Sequence, residues 1–218
     1  MLFDLRGKRR RAVQATYVTL AVLIGGGLVL FGIGGGVSGG LLDALRGGGG
    51  SSGGGSVYQK RVDRDQRALR RNPQNEAALR DLARSQYQLV AQDADPNTGA
   101  FPKKDHDDLQ KVASAWERYL ALNPPRPDAS LAGLMVQVYA PGALGQPAKA
   151  AKAAEIVAAA NPTANAYLTL VQYATLAGQT RTADLAAQRA LDLAPKGQKA
   201  NVKAAIKQAK RLSSQGTG

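Results

Sequence analysis

One short acidic segment of the chain has residue types that could bind a divalent cation. Asp93, Asp95 and Asn97 supply side-chain oxygens at alternate positions, as the start of a calcium-binding loop does. Such a loop needs glycine at its sixth position and a bidentate glutamate at its twelfth, whereas this sequence has Thr98 and Lys104 there. Because the ammonium group of Lys104 would repel the ion, we interpret the segment as a turn.

A second acidic cluster, Asp105–Asp108, contains the single histidine of the chain, His106. These side chains could bind a metal, but one histidine and no cysteine exclude multi-histidine and thiolate sites within one chain. His106 also has no nearby serine in the arrangement that a hydrolytic triad requires. We expect Asp105 or Asp107 to cap a helix, because acidic groups stabilise a helix N-terminus. The sequence therefore predicts no catalytic, metal-binding or cofactor-binding residues, and a protein that is not an enzyme.

Two glycine-rich strings near the N-terminus match catalytic or nucleotide-binding patterns. Residues 36–40 fit G-x-S-x-G, and residues 34–39 fit G-x-G-x-x-G. Both patterns work only between a strand and a helix, where the turn presents a hydroxyl or surrounds a phosphate. That context is not predicted here, and 17 of the 25 glycines lie in residues 1–56. We therefore interpret both matches as coincidental.

The N-terminal region is predicted to anchor the chain in a membrane. Residues 1–11 carry a cluster of basic side chains, and the uncharged run that follows has its apolar centre at 12–33. As a helix this centre would extend about 33 Å, enough to cross the hydrocarbon core. The alternatives are a cleaved signal peptide, for which the run is too long, and a buried soluble helix. The basic cluster predicts a cytoplasmic N-terminus, with the rest of the chain outside the cytoplasm in a single-pass topology.

Glycine spacing adds two expectations for the N-terminal region. Gly32 and Gly36 have the separation at which membrane helices pair closely, which predicts a weak homodimer. The alternative is the ordinary glycine enrichment of membrane helices. Residues 34–56 are rich in glycine and serine and are predicted to form a flexible linker.

Residues 57–212 have the pattern of an all-α domain. Apolar residues recur every three or four positions, and the helical runs stop at Pro73, Pro124, Pro162 and Pro195. These stops predict an α-solenoid of about three helix pairs with an extra helix at each end. An insertion of about 17 residues, from Gln92 to Asp108, divides the first pair. Residues 213–218 are predicted to be a disordered tail.

The last helix pair, residues 164–197, resembles a tetratricopeptide repeat. The matching positions are Tyr167, Leu170, Gly178, Ala183, Ala190 and Pro195. Residues 128–162 and the divided first pair match more weakly. The order of basic N-terminus, apolar run and repeats also resembles bacterial membrane-anchored tetratricopeptide proteins, especially actinobacterial ones that open with a segment like Phe3–Gly7. The function of that group is unsettled, so the resemblance implies a scaffold and no particular process.

The resemblance implies a protein-binding groove lined by the first helix of each pair. Carried over by position, the groove residues are Arg80, Arg84, Tyr87, Val136, Tyr139, Gln172 and Leu176. The sequence lacks the family's carboxylate-clamp pattern, which recognises an acidic chain terminus, because Arg84 and Gly133 occupy positions where that pattern has asparagine. The alternative is that some groove residues pack under the N-terminal helix or the insertion.

The charge distribution limits the kinds of partner. The formal net charge is +13, but residues 57–195 hold 17 basic and 14 acidic side chains, close to balance. This balance predicts no nucleic-acid-binding surface across the domain. We expect a membrane-anchored scaffold that binds a protein outside the cytoplasm, in envelope or secretion-complex assembly. The alternatives are a membrane-tethered enzyme or an accessory of one, and a self-associating structural membrane protein.

Overall fold

A computed structural model describes residues 54–95 and 99–215 of the chain. In this part of the chain all regular secondary structure is helical, as predicted. The α-helices are α1 (Gly54–Arg71), α2 (Glu76–Val90), α3 (His106–Ala121), α4 (Ala129–Val138), α5 (Pro147–Ala160), α6 (Ala164–Leu176), α7 (Thr180–Leu193) and α8 (Lys199–Gln215). Short 3-10 helices, Lys103–Asp105 and Lys196–Gln198, precede α3 and α8. Residues 54–94 and 100–215 belong to one compact unit.

The predicted membrane span at 12–33 lies outside the described residues, as does the pairing motif of Gly32 and Gly36. Within residues 54–95 and 99–215, no helix combines the length and the apolar character that crossing a bilayer requires. The predicted linker ends earlier than expected, because α1 begins at Gly54. At the other end, α8 continues to Gln215, beyond its predicted end at 212.

Helices adjacent in sequence pack on one another, which gives the fold its repeat-like order. The pairs are α2 with α3, α4 with α5, and α6 with α7. The extra helices lie where they were predicted: α1 packs on α2, and α8 packs on α6 and α7. Val202 and Ile206 of α8 are buried, whereas its lysines are exposed, so α8 covers the apolar end of the repeats.

The first helix of each pair is capped in the same way. The side chains of Asn75, Asp128 and Thr163 accept hydrogen bonds from the backbone N–H three residues later, at the starts of α2, α4 and α6. The second helices lack such caps. Asp105 precedes α3 as predicted, but its side chain makes no capping hydrogen bond, because a 3-10 turn occupies that position. The predicted cap was Asp105 or Asp107: Asp105 stands at the N-cap position without a capping hydrogen bond, and Asp107 lies inside the first turn of α3, where an acidic group is favourable.

The helices end close to prolines and to residues that tolerate a left-handed backbone conformation. The helices α1, α5 and α7 end two residues before Pro73, Pro162 and Pro195. Gly178, in the turn of the last pair, has a φ of 71°. Side chains disfavour this conformation, which explains why the tetratricopeptide-like position carries glycine.

The core changes character along the chain. Large side chains fill its first half, and Trp116, Tyr119 and Tyr139 are almost fully buried. In the second half, α5 and α7 bury mostly alanines, which allow close approach between helices. Leu170 and Ala183, two of the tetratricopeptide-like positions, are both buried on the packed helices α6 and α7.

Candidate functional site

The predicted groove residues lie on α2, α4 and α6, but they divide into two groups. Four remain accessible to a partner: Arg80, Arg84, Gln172 and Leu176. The other three are buried, with Tyr87 7%, Val136 3% and Tyr139 1% exposed. A partner cannot reach these three without displacing their neighbours, so they stabilise the domain in this conformation. The prediction that the accessible four bind a protein stays a prediction.

Asp128 is the centre of an ion-pair network at the start of α4. Its Oδ2 accepts a hydrogen bond from Nη2 of Arg84 at 3.0 Å and lies 3.9 Å from Nε of Arg80. Its Oδ1 caps α4, and its backbone N–H donates to the hydroxyl of Tyr119 at 3.0 Å. Asp81 lies 3.4 Å from Arg80. Two carboxylates thus face the two arginines, and they offset the positive charge at this end of the predicted groove.

Tyr87 connects α2 to α4 and to the insertion. Its hydroxyl donates to Oε1 of Gln137 at 2.7 Å, and its ring meets that of Phe101 edge-to-face, with centroids 6.4 Å apart. Burial raises the pKa of Tyr87 to about 12. Packing against Phe101 matches the alternative that some groove residues lie against the insertion.

Tyr139, at the end of α4, is held by a polar cluster of side chains from α3 and α5. Its hydroxyl donates to Oε1 of Glu117 at 3.0 Å, and Nζ of Lys149 donates to the same oxygen at 2.7 Å. Nζ of Lys149 also lies 5.7 Å from the centre of the Tyr139 ring. Burial and the adjacent carboxylate raise the pKa of Tyr139 well above its usual range.

The same cluster fixes the ionisation of Glu117. Burial is the largest influence and favours the neutral acid, but the hydrogen bonds from Lys149 and Tyr139 together outweigh it. The pKa of Glu117 is therefore lower than its ordinary value. A cleft of about 470 Å³ adjoins this cluster. A carboxylate that is ionised and already hydrogen-bonded is poorly suited to general acid catalysis at neutral pH, so the cluster fits a structural role.

A third polar region, which we call the basic cleft, lies between α1 and α3. Its volume is about 390 Å³, and Arg70, Lys111 and Arg118 stand at its sides. Leu69 and Leu82 contribute apolar surface. None of its described lining residues is acidic, although Lys111 pairs with the nearby Asp108, at 2.6 Å. The cleft was not predicted from the sequence, because its lining residues come from three different helices. The many basic residues of α1 were the one feature of the sequence that could have indicated it.

One glycine leaves open space on the surface of α4. A Cβ atom placed on Gly133 would meet no atom within 4 Å, so no part of the described chain covers this position. Gly133 lies among partly exposed residues of α4 that include Leu134 and Gln137. A mid-helix glycine costs about 1 kcal/mol relative to alanine. Neither a positive φ nor a close internal contact requires glycine here.

Metal binding receives no positive support from the described residues, in which no group of three or more His, Cys, Asp or Glu side chains is arranged to hold an ion. Comparison with known proteins yields no match to a family model, a curated protein or a solved structure.

Proposed function

We propose that the chain is a non-enzymatic, single-pass membrane-anchored scaffold of the tetratricopeptide-repeat type. In this proposal residues 12–33 cross the membrane, and the helical unit binds a protein partner outside the cytoplasm. The partner binds the solvent-facing sides of α2, α4 and α6, which we call the first-helix face. Its central residues are Arg84 on α2, Gly133 and Leu134 on α4, and Gln172 and Leu176 on α6.

The observation that carries the binding proposal is the repeated construction of these three helices. Each is capped by a side chain, buries one side in the core and leaves the other side partly exposed. Arg84 remains 44% exposed even though it pairs with Asp128. A partner carboxylate could therefore share Arg84 with Asp128, and the uncovered Gly133 would allow the partner backbone to approach α4 closely.

Photocrosslinking in intact cells tests the binding surface directly. A photoreactive amino acid at Gln172 should crosslink one protein species, whereas the same group at Leu185, which is 56% exposed on α7, should not. Gly133→Trp should reduce the crosslink from Gln172 about tenfold, because the indole would extend into the space that is open beside Gly133 and obstruct the partner. Circular dichroism should show unchanged helix content. Equal crosslinking from both positions, or no effect of Gly133→Trp, would show that the first-helix face is not the binding surface.

The membrane topology has its own test, because the chain contains no cysteine. Ser214→Cys should react with a membrane-impermeant thiol reagent in intact cells, and Lys8→Cys should react only after the cells are lysed. The reverse pattern would place the helical unit in the cytoplasm.

A further inference from the structure

The outward side of α1 carries a straight row of cations. Lys60, Arg64, Arg67 and Arg71 are spaced by four, three and four residues. At 3.6 residues per turn they fall within an arc of roughly 60°. All four are exposed, while Val62, Asp65 and Leu69 on the opposite side are buried. We call these four residues the cationic row.

The charge of the cationic row is mostly uncompensated by the described part of the chain. Arg64 pairs with Asp65 at 2.8 Å, yet its side chain remains 61% exposed. Lys60, Arg67 and Arg71 make no side-chain hydrogen bond or ion pair with any described residue. Asp63 is the one exposed acidic residue of α1, and Gln59 donates to it at 3.0 Å. Exposed positive charge without an acidic partner on the same chain favours the binding of an external anionic partner.

The cations extend beyond the row towards α3. Arg70 lies on the side of α1 that borders the basic cleft, and Lys111 and Arg118 face it from α3. The cationic row and the basic cleft thus place basic side chains on α1 and α3, with the exposed Asp63 between them around α1 and no acidic residue lining the cleft itself.

We propose that the cationic row docks α1 lengthwise onto the surface of an anionic phospholipid membrane. This inference rests on the proposed function for the anchor at residues 12–33. Residues 34–53 separate that anchor from α1, and a glycine-rich linker of this length has a root-mean-square span of about 25 Å. In the proposed topology, the predicted linker would keep α1 close to the bilayer. A straight row about 17 Å long suits a planar charged surface, and each cation near such a surface favours the docked state about fivefold.

Fluorescence quenching in reconstituted vesicles tests the docking. Val57 is 47% exposed at the start of α1, so the full chain carrying Val57→Cys can hold one fluorophore in an otherwise cysteine-free protein. A quencher on the lipid headgroups should quench it in vesicles with roughly 30% phosphatidylglycerol and not in pure phosphatidylcholine vesicles. Raising the salt to about 0.5 M should abolish the quenching.

Matched charge removals identify the responsible residues. The combined variant Arg64→Gln, Arg67→Gln, Arg71→Gln should lower the ratio of docked to free helix about 100-fold. The variant Lys199→Gln, Lys203→Gln, Lys207→Gln removes the same charge from the exposed side of α8 and should leave the quenching unchanged. Equal loss in both variants would mean that net charge acts instead of the row, and the proposal would be wrong. Circular dichroism of each variant checks that it folds.

Flotation separates failure of the docking from failure of the anchor. If the protein floats with phosphatidylcholine vesicles but is never quenched in anionic ones, the anchor holds and the docking proposal is wrong. If it floats only with anionic vesicles, and only with the cationic row intact, the docking holds and the anchor is wrong. If polyglutamate or a DNA duplex binds the row while anionic vesicles do not, the occupant is an acidic protein or a nucleic acid, and the lipid proposal is overturned.

Discussion

Tyr139 was predicted to line the protein-binding groove, but its surroundings indicate a structural role that one substitution can measure. Tyr139→Phe keeps the buried ring and its contact with Lys149 and removes only the hydrogen bond to Glu117. Hydrogen bonds to charged groups contribute about 1.5–3 kcal/mol. The side chain of Glu117 is 47% exposed, so water competes for it and we expect a contribution below that range, about 1 kcal/mol.

The effect of Tyr139→Phe should depend on pH in a defined direction. The pKa of Glu117 in the folded state is lower than its ordinary value, so its ionisation stabilises the fold above the unfolded-state pKa of about 4.3. This stabilisation is lost as the pH falls through the folded-state pKa. The difference between wild type and Tyr139→Phe should therefore be full at pH 7 and should shrink below about pH 4.

Thermal unfolding of the full chain in mild detergent, followed by circular dichroism, measures this effect. For a domain of this size, a loss of about 1 kcal/mol lowers Tm by about 2–4 °C. Tyr167→Phe is the matched control, because Tyr167 is partly exposed and its hydroxyl makes no hydrogen bond within the described residues. A Tm change for Tyr139→Phe no larger than that for Tyr167→Phe would refute the structural role. Tyr139→Ala is unsuitable, because losing a buried ring costs about 3–5 kcal/mol.

Two further pairs of substitutions test the local structure by the same unfolding measurement. Gly178→Ala should destabilise by about 1 kcal/mol, because alanine must adopt a φ of 71°; Gly133→Ala, in open space on a helix, should stabilise by about 0.4–1 kcal/mol. Changes of the same sign would contradict the assigned backbone. Asp128→Ala should cost about 1–2 kcal/mol by removing the α4 cap, whereas Asp128→Asn keeps an oxygen at that position and should cost less than half as much. Equal costs would mean that Asp128 stabilises the fold mainly through its ion pairs with Arg80 and Arg84 and not through the cap.

The helices were predictable because their signals are local. Proline stops and three- and four-residue spacing act within one helix or turn, so the all-helical class and the repeat-like order followed from the sequence. The cap at Asp105 failed for a local reason too, since the competing 3-10 turn also satisfies backbone groups there.

The candidate site was less predictable because burial depends on partners distant in sequence. Position in the repeat placed Tyr87 and Tyr139 on a groove, but Gln137 and Glu117 are 50 and 22 residues away from them. The neutralisation of Arg84 likewise depends on Asp128, 44 residues further along the chain. Aromatic residues with a polar end often hydrogen-bond when buried, so residue type alone cannot separate an anchor from a core residue.

The two boundaries between helix pairs are held by different forces. Polar bonds cross the boundary between the first and middle pairs: Arg84 and Tyr119 bond to Asp128, Tyr87 to Gln137, and Tyr139 and Lys149 to Glu117. There α3 and α4 make few direct contacts, whereas α5 and α6 pack closely across the next boundary through buried small and aliphatic side chains. Arg84 is half-exposed, so its bond to Asp128 can exchange with an external carboxylate, while apolar packing offers no such exchange. An acidic partner on the first-helix face would therefore act first on the boundary at Asp128, where it competes for Arg84 and leaves the alanine-rich boundary unchanged.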